Sequence, residues 1–328
     1  MMNQTLIDGM DQYKDIYFQL YSKLKWKADK RLLMLIAAMY VTSSKKFNLK
    51  HFIDTADYIK DEVGFFSQLN SVHRFTTAAT LDTTATDAQT AFHHLMSIYD
   101  KLIETGFSRN VYSYIAAGTL LKIEPNRIEE YTRKTIDVYK GMKSHHFFLT
   151  NSADYPLASI LSLNDTNADE IVANVEEYYV ALQRKGFSMG NDLQFLSHIL
   201  TLTSDHNPNE KVELCVKVKG LLCDANFKTK KIFYPYIGML TYVKELENEV
   251  EILKEFNENL NNDKLFKWSK DINFMLSILF LLNQKTSLVN TAQTGLNVSI
   301  ETLIQAQQAA MTASIAAATA ASISSSSS

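Results

Sequence analysis

The chain has 328 residues, of which only 10 are Gly and 4 are Pro. Together these make about 4% of the sequence against roughly 12% in average proteins, too few for the turns of an all-β sandwich or barrel, a collagen-like chain or a flexible linker. Apolar residues reach 46% and charged residues 21%, so the chain can bury a core, and 33 Lys and Arg against 36 Asp and Glu leave a net charge of −3. That balance gives no basic field over the whole chain, so neither nucleic acid nor a membrane is expected as a partner, apart from contact through the C-terminal tail.

In chain order, Met1 to Asp15 has neither a basic n-region nor an apolar core, so no signal peptide is expected. A helix over Leu6–Leu24 is expected to cap the helices after it, with 1–25 as the capping segment. The longest apolar run, Leu32 to Val41, is too short to span a bilayer. Cys215 and Cys223 lie eight residues apart in a segment that reads as one helix. They are therefore about 12 Å apart, beyond the roughly 7 Å that a disulfide allows. Two unpaired thiols fit a reducing compartment, and a cytoplasmic protein is expected.

A repeat organises the remainder. Phe107, Phe147, Phe187 and Phe227 are spaced by 40 residues each, Phe266 follows after 39, and Phe65 and Trp26 precede at 42 and 39. Thirteen residues after these anchors stand Leu120, Ile160, Leu200, Leu240 and Leu279. Before an anchor comes an amphipathic run such as 91–105 or 171–185, with apolar residues at helical spacing. Gly64, Gly106 and Gly186, and Asn226, precede their anchors where a helix ends in the left-handed conformation, so the periodic aromatic is expected to fold back as a C-cap staple. A second, shorter helix such as 195–202 or 236–243 is apolar on most sides and is expected to lie between neighbours. Asn151 and Asn191 stand where such a helix would be capped, and Pro156 falls in its first turn.

The expected fold is all-α: an α-solenoid of about six or seven antiparallel helix pairs with a period near 40 residues. Residues 1–290 form a single helical-repeat domain with units starting near 26, 65, 107, 147, 187, 227 and 266. Residues 291–328, rich in Ala, Gln and Ser and uncharged from Thr302 onward, read as a tail that is helical and then disordered.

Catalytic signatures such as a Walker A loop, G-x-G-x-x-G, H-E-x-x-H, G-x-S-x-G and C-x-x-C are missing from the sequence. Asp165, Asn167, Asp169 and Glu176 match four positions of a calcium loop, but Glu170 stands where that loop needs Gly. Neither a metal nor another cofactor is expected. His93 and His94 point about 100° apart on a helix and read as surface and boundary positions.

Two places remain as candidate sites. The segment 143–159 departs most from the other units and gathers Lys143, His145, His146, Asp154 and Tyr155 at one turn, a candidate ligand site. A polar column, Tyr114, Asp154, Gln194, Tyr234 and Asn273, stands seven residues after the anchors, joined by Arg74 if the longer unit at Phe65 is shifted by two, with His198 one turn beyond Gln194. It serves either as a partner-binding groove along the inner helices or as a set of hydrogen bonds between buried helices.

The stretches 102–121 and 182–200, each a helix, a Gly-Phe turn and a second helix, resemble pentatricopeptide and, loosely, tetratricopeptide repeats. The base-reading positions of the former would fall on Ile115, Pro156, Leu196 and Tyr236, mostly unable to hydrogen-bond a base, so RNA binding does not carry over. The blocks 145–158, 190–200, 266–275 and 304–311 resemble an uncharacterised family of Firmicute bacteria, domain of unknown function number four thousand and three. That resemblance covers nearly the whole chain; it implies a bacterial cytosolic setting and supplies no catalytic residues. The expected function is a non-enzymatic scaffold binding a protein or peptide along its inner helix face. The alternatives are a metal-dependent or small-molecule-binding enzyme at the His145–Tyr155 turn and, behind it, an RNA-binding repeat.

Overall fold

A computed structural model describes residues 4–43, 45–202, 207–288 and positions 311, 312, 314, 315 and 317. The expected tail over 291–328 lies outside the described residues except for those last five positions, which are helical. Among the described residues there are fourteen α-helices and no strand. They are α1 (Gln4–Leu24), α2 (Lys30–Val41), α3 (Leu49–Glu62), α4 (His73–Thr84), α5 (Ala88–Thr105), α6 (Val111–Thr119) and α7 (Ile128–His145). Then come α8 (Tyr155–Ser162), α9 (Ala168–Arg184), α10 (Asn191–Thr201), α11 (Pro208–Asp224), α12 (Tyr234–Leu240), α13 (Leu246–Asn262) and α14 (Lys270–Leu288).

Long and short helices differ as their sequences require. α9 buries Ile171, Val172, Val175, Tyr178, Tyr179 and Leu182, one face of a 3.6-residue period. α8 and α12, by contrast, bury every residue they contain. Such a helix has no face for water and must be covered on all sides.

The chain divides into two compact units. The N-terminal unit holds residues 8–139, 151–163 and 307–328; the C-terminal unit holds 1–7, 140–150 and 164–306. Within the N-terminal unit α4 packs on α2, α3, α5 and α6, and α6 packs on α8. Within the C-terminal unit the long helices α9, α11 and α13 neighbour one another in turn, while α12 lies between α10 and α14. Gly238 permits that: a Cβ there would stand 2.5 Å from Leu196 Cδ1 and 3.2 Å from Ile199 Cγ2, so α12 approaches α10 more closely than any side chain allows.

The turn chemistry holds at three anchors. Gly106, Gly186 and Asn226 have φ of 116°, 84° and 66°. Phe107, Phe187 and Phe227 each return an N–H to the carbonyl five residues back, on Leu102, Leu182 and Leu222, at 3.0, 3.2 and 2.8 Å. It fails at Trp26, Phe65 and Phe147, which are exposed instead of folded back. At Phe65 the preceding helix ends on Val63 in extended geometry, so the chain leaves the helix without the left-handed step. At Phe147 the His146 N–H still makes a helical bond to the Met142 carbonyl at 3.0 Å, and the His146 ring takes the inward place, its centre 4.3 Å from that of Tyr179.

The two cysteines share α11, Cys215 buried and Cys223 exposed, and both are free. No described helix is long and apolar enough to cross a membrane.

Candidate functional site

The polar column is packed rather than arranged along an open groove. Tyr114 is buried, stacked on Tyr99 with ring centres 4.0 Å apart, and its hydroxyl bonds with Ser67 Oγ at 3.2 Å. Arg74 donates to the Ser71 carbonyl at 2.8 Å and lies over the Phe75 ring. Tyr234 is buried and its hydroxyl accepts from the Ser188 N–H at 3.3 Å. Asn273, fully buried, donates to Asn261 Oδ1 at 2.9 Å and to the Phe266 carbonyl at 3.0 Å. Gln194 donates to the Thr150 hydroxyl at 2.8 Å. Tyr114, Gln194, Tyr234 and Asn273 are buried against neighbouring helices, where polar groups must be hydrogen-bonded, while Arg74 and Asp154 are half-buried.

Asp154 belongs to this column and also to the irregular turn. Its carboxylate accepts from the Asn151 N–H at 2.8 Å while Asn151 Oδ1 accepts from the Ala153 N–H at 3.0 Å, a reciprocal cap. Burial pushes the Asp154 carboxyl up to about 6 against that hydrogen bond. Tyr155 stacks on Phe107 at 3.9 Å, and its hydroxyl accepts from the Ser108 N–H. Both residues act within the N-terminal unit.

Lys143, His145 and His146 fall in the C-terminal unit. His145 is exposed, and Lys143 lies over the Phe147 ring. His146, 13% exposed, pairs through Nε2 with Glu176 Oε2 at 2.8 Å. Glu176, one of the four calcium-loop matches, sits inside α9; Asn167 instead caps that helix by accepting from the Glu170 N–H. His198 lies within electrostatic reach of His146, fully buried, and neither of its ring nitrogens has a hydrogen-bond partner. Burial pushes the His198 imidazole down to about 3, so it is neutral. Among the described residues no group of three or more His, Cys, Asp or Glu is placed to hold a metal ion.

Sequence reasoning missed two features. The first is Asp82, 2% exposed in α4. It accepts from the buried Tyr40 hydroxyl at 2.7 Å and pairs with Lys45 Nζ at 3.3 Å and His51 Nε2 at 3.1 Å. Its partners come from separate segments with no common spacing, so no motif announced it. The second is the set of aromatics displayed on turns. Phe65 and Phe66 are 83% and 93% exposed, Phe148 is 95% exposed and Trp268 83%. Their signal was in the sequence as doubled or displaced aromatics at the anchor positions.

The sequence places the chain in a known family. Residues 16–309 match the model of the family described as Protein of unknown function (DUF4003), and the chain belongs to that family. It is similar to Uncharacterized protein YeaA of Bacillus subtilis (strain 168), 35% identical over 326 residues that cover 98% of each chain. No solved structure matches.

Proposed function

We propose that the protein is a non-enzymatic helical-repeat scaffold, with helix pairs of period near 40 stacked within each unit, and that it binds a protein or peptide partner. The observation that carries this reading is the Phe65–Phe66 pair. The two rings stand edge to face, 5.3 Å between centres, on a turn of the N-terminal unit. That turn is held in place: Asn70 donates to the Phe65 carbonyl at 3.3 Å, and Ser67 Oγ bonds Tyr114. Two solvent-facing aromatics on a hydrogen-bonded turn are the kind of anchor that dominates protein interfaces. The binding surface is thus drawn to the turns instead of the inner column. Exposed Phe65 and Phe66 can be replaced without disturbing the core, so F65S/F66S is expected to keep the wild-type melting temperature. It is also expected to lose a protein that the wild type recovers from lysate of its host. Identical recovery by the two proteins would sink the reading.

The enzymatic or small-molecule reading is favoured by one observation, the partly exposed His146–Glu176 pair beside neutral His198. His146→Ala should abolish turnover or ligand-induced stabilisation across a metabolite panel if that reading holds. A variant that changes only the unfolding midpoint removes it.

A further inference from the structure

Four turns of the C-terminal unit follow its helix ends, and contacts between them put them at one end of that unit. Thr150 in the first is held by Gln194 just beyond the second. Phe187 in the second packs on Tyr234 beyond the third, ring centres 4.9 Å apart, and Phe227 in the third packs on Phe274 beyond the fourth at 5.0 Å. These segments, residues 143–150, 185–190, 226–232 and 263–270, contain eight lysines and one acid, Asp263. The ends at which the long helices begin are acidic: Asp169 and Glu170 in α9, Glu210 in α11, Glu247 and Glu249 in α13. Asp192, Asp224 and Asp271 flank these segments, Asp271 paired with Lys230, so the turns keep an excess of lysine over acid while the helix starts carry more acid.

The basic end is also the aromatic one. Phe147, Phe148, Met189 and Trp268 are exposed there. Lys143 and Lys267 lie 5.6 and 5.2 Å from the ring centres of Phe147 and Trp268. Lys185 and Lys230 have carboxylate partners, Glu213 and Asp271, that anchor their turns to the unit.

We infer that this end of the C-terminal unit is a peripheral binding surface for an anionic phospholipid bilayer. Amphipathic rings flanked by lysines settle at headgroup depth, and each lysine near the surface gains from the negative potential of the leaflet. The geometry favours lipid over other anionic partners. Single-stranded bases can stack on Phe148 and Trp268, but Met189, 60% exposed, offers them no ring and would stay in water. A protein interface buries its aromatic anchors in matching pockets, whereas these are spread over three turns, Phe147 and Phe148 on one, Met189 and Trp268 on two others, which a fluid partner accommodates. The inference is independent of the Phe65–Phe66 site, which lies in the other unit.

The test uses the full chain carrying Trp26→Phe, which leaves Trp268 as the sole tryptophan of the two. Vesicles of phosphatidylcholine with about one-third phosphatidylglycerol should co-sediment the protein at ~0.1 M salt and shift Trp268 emission to the blue. Affinity should fall more than about tenfold at ~0.5 M salt, and also with pure phosphatidylcholine vesicles. F148S and K264E/K267E, all at exposed positions, should each weaken vesicle binding about tenfold with the melting temperature unchanged. F65S/F66S should bind vesicles as the wild type does. No co-sedimentation and no emission shift, equal binding to neutral vesicles, or insensitivity to F148S and K264E/K267E would each overturn the inference. So would tight binding of a single-stranded oligonucleotide that F148S leaves unchanged, in the absence of vesicle binding; that result assigns the end to a soluble polyanion.

Discussion

Asp82→Ala is expected to destabilise the N-terminal unit by about 2–4 kcal/mol and to lower its melting temperature by roughly 5–10 °C. Asp82 is 2% exposed and is the acceptor for a Tyr40 hydroxyl that is itself fully buried. Truncation leaves that hydroxyl without its acceptor, and an unsatisfied buried donor costs more than the hydrogen bond contributes. The ionic part is smaller, because Lys45 and His51 are 35% and 50% exposed and can turn to water when the carboxylate is gone. Tyr40→Phe should cost less, about 1–2 kcal/mol, since Asp82 then keeps its contacts with Lys45 and His51. Because the two residues share one hydrogen bond, the double variant should fall short of the sum of the singles. Thermal melts of the four proteins measure this directly. An Asp82→Ala protein as stable as the wild type would show that the buried carboxylate is no tie.

Acid should destabilise the C-terminal unit well before general acid denaturation, through His198. Its imidazole is neutral in the folded chain, held down to about 3 by burial, while in the unfolded chain it takes a proton near its ordinary 6.5. The unfolded state therefore binds more protons between these values, and stability falls as pH drops through that window. The slope approaches about 1.4 kcal/mol per pH unit, or about 2 kcal/mol lost by pH 5. His198→Leu cannot titrate. Since both ring nitrogens lack partners, it should be at least as stable as the wild type at pH 7 and should flatten the stability profile below pH 6.5. Parallel profiles for variant and wild type in urea titrations from pH 7 to 4.5 would show that His198 is not the group responsible. Asp154 works in the opposite sense in the other unit. Its carboxyl is raised to about 6, so it withdraws stability as pH rises from about 4 to 6. The two contributions are separable because one site is an imidazole and the other a carboxyl.

What could be read from sequence was what repeats. The helical class, the Gly-Phe turn at 106–107 and 186–187, its Asn-Phe equivalent at 226–227, and Pro156 in the first turn of α8 all obey local rules acting within a few residues. The candidate sites were less legible because they depend on register across the fold. A polar residue on an apolar helix reads the same whether it faces a groove or a neighbouring helix; only packing put Gln194 against Thr150 and Asn273 against Phe266. Asp82 was silent for the converse reason: Tyr40, Lys45 and His51 reach it from different segments at no repeating interval. Net charge misled in its own way. A total of −3 summed over the chain hides lysines gathered at helix ends and carboxylates gathered at helix starts, an arrangement that helix dipoles favour at both places.

The inward turn of His146 has a consequence for the surface. At this turn a residue that fills the interior itself leaves the following aromatic outside, with the spacing of the anchors unaltered. The residue at a helix end and the geometry in which the helix stops together decide whether the next aromatic is structural or displayed, as exposed Phe65 after Gly64 also illustrates. Exposed aromatics can thus differ from turn to turn while the helices between them stay alike.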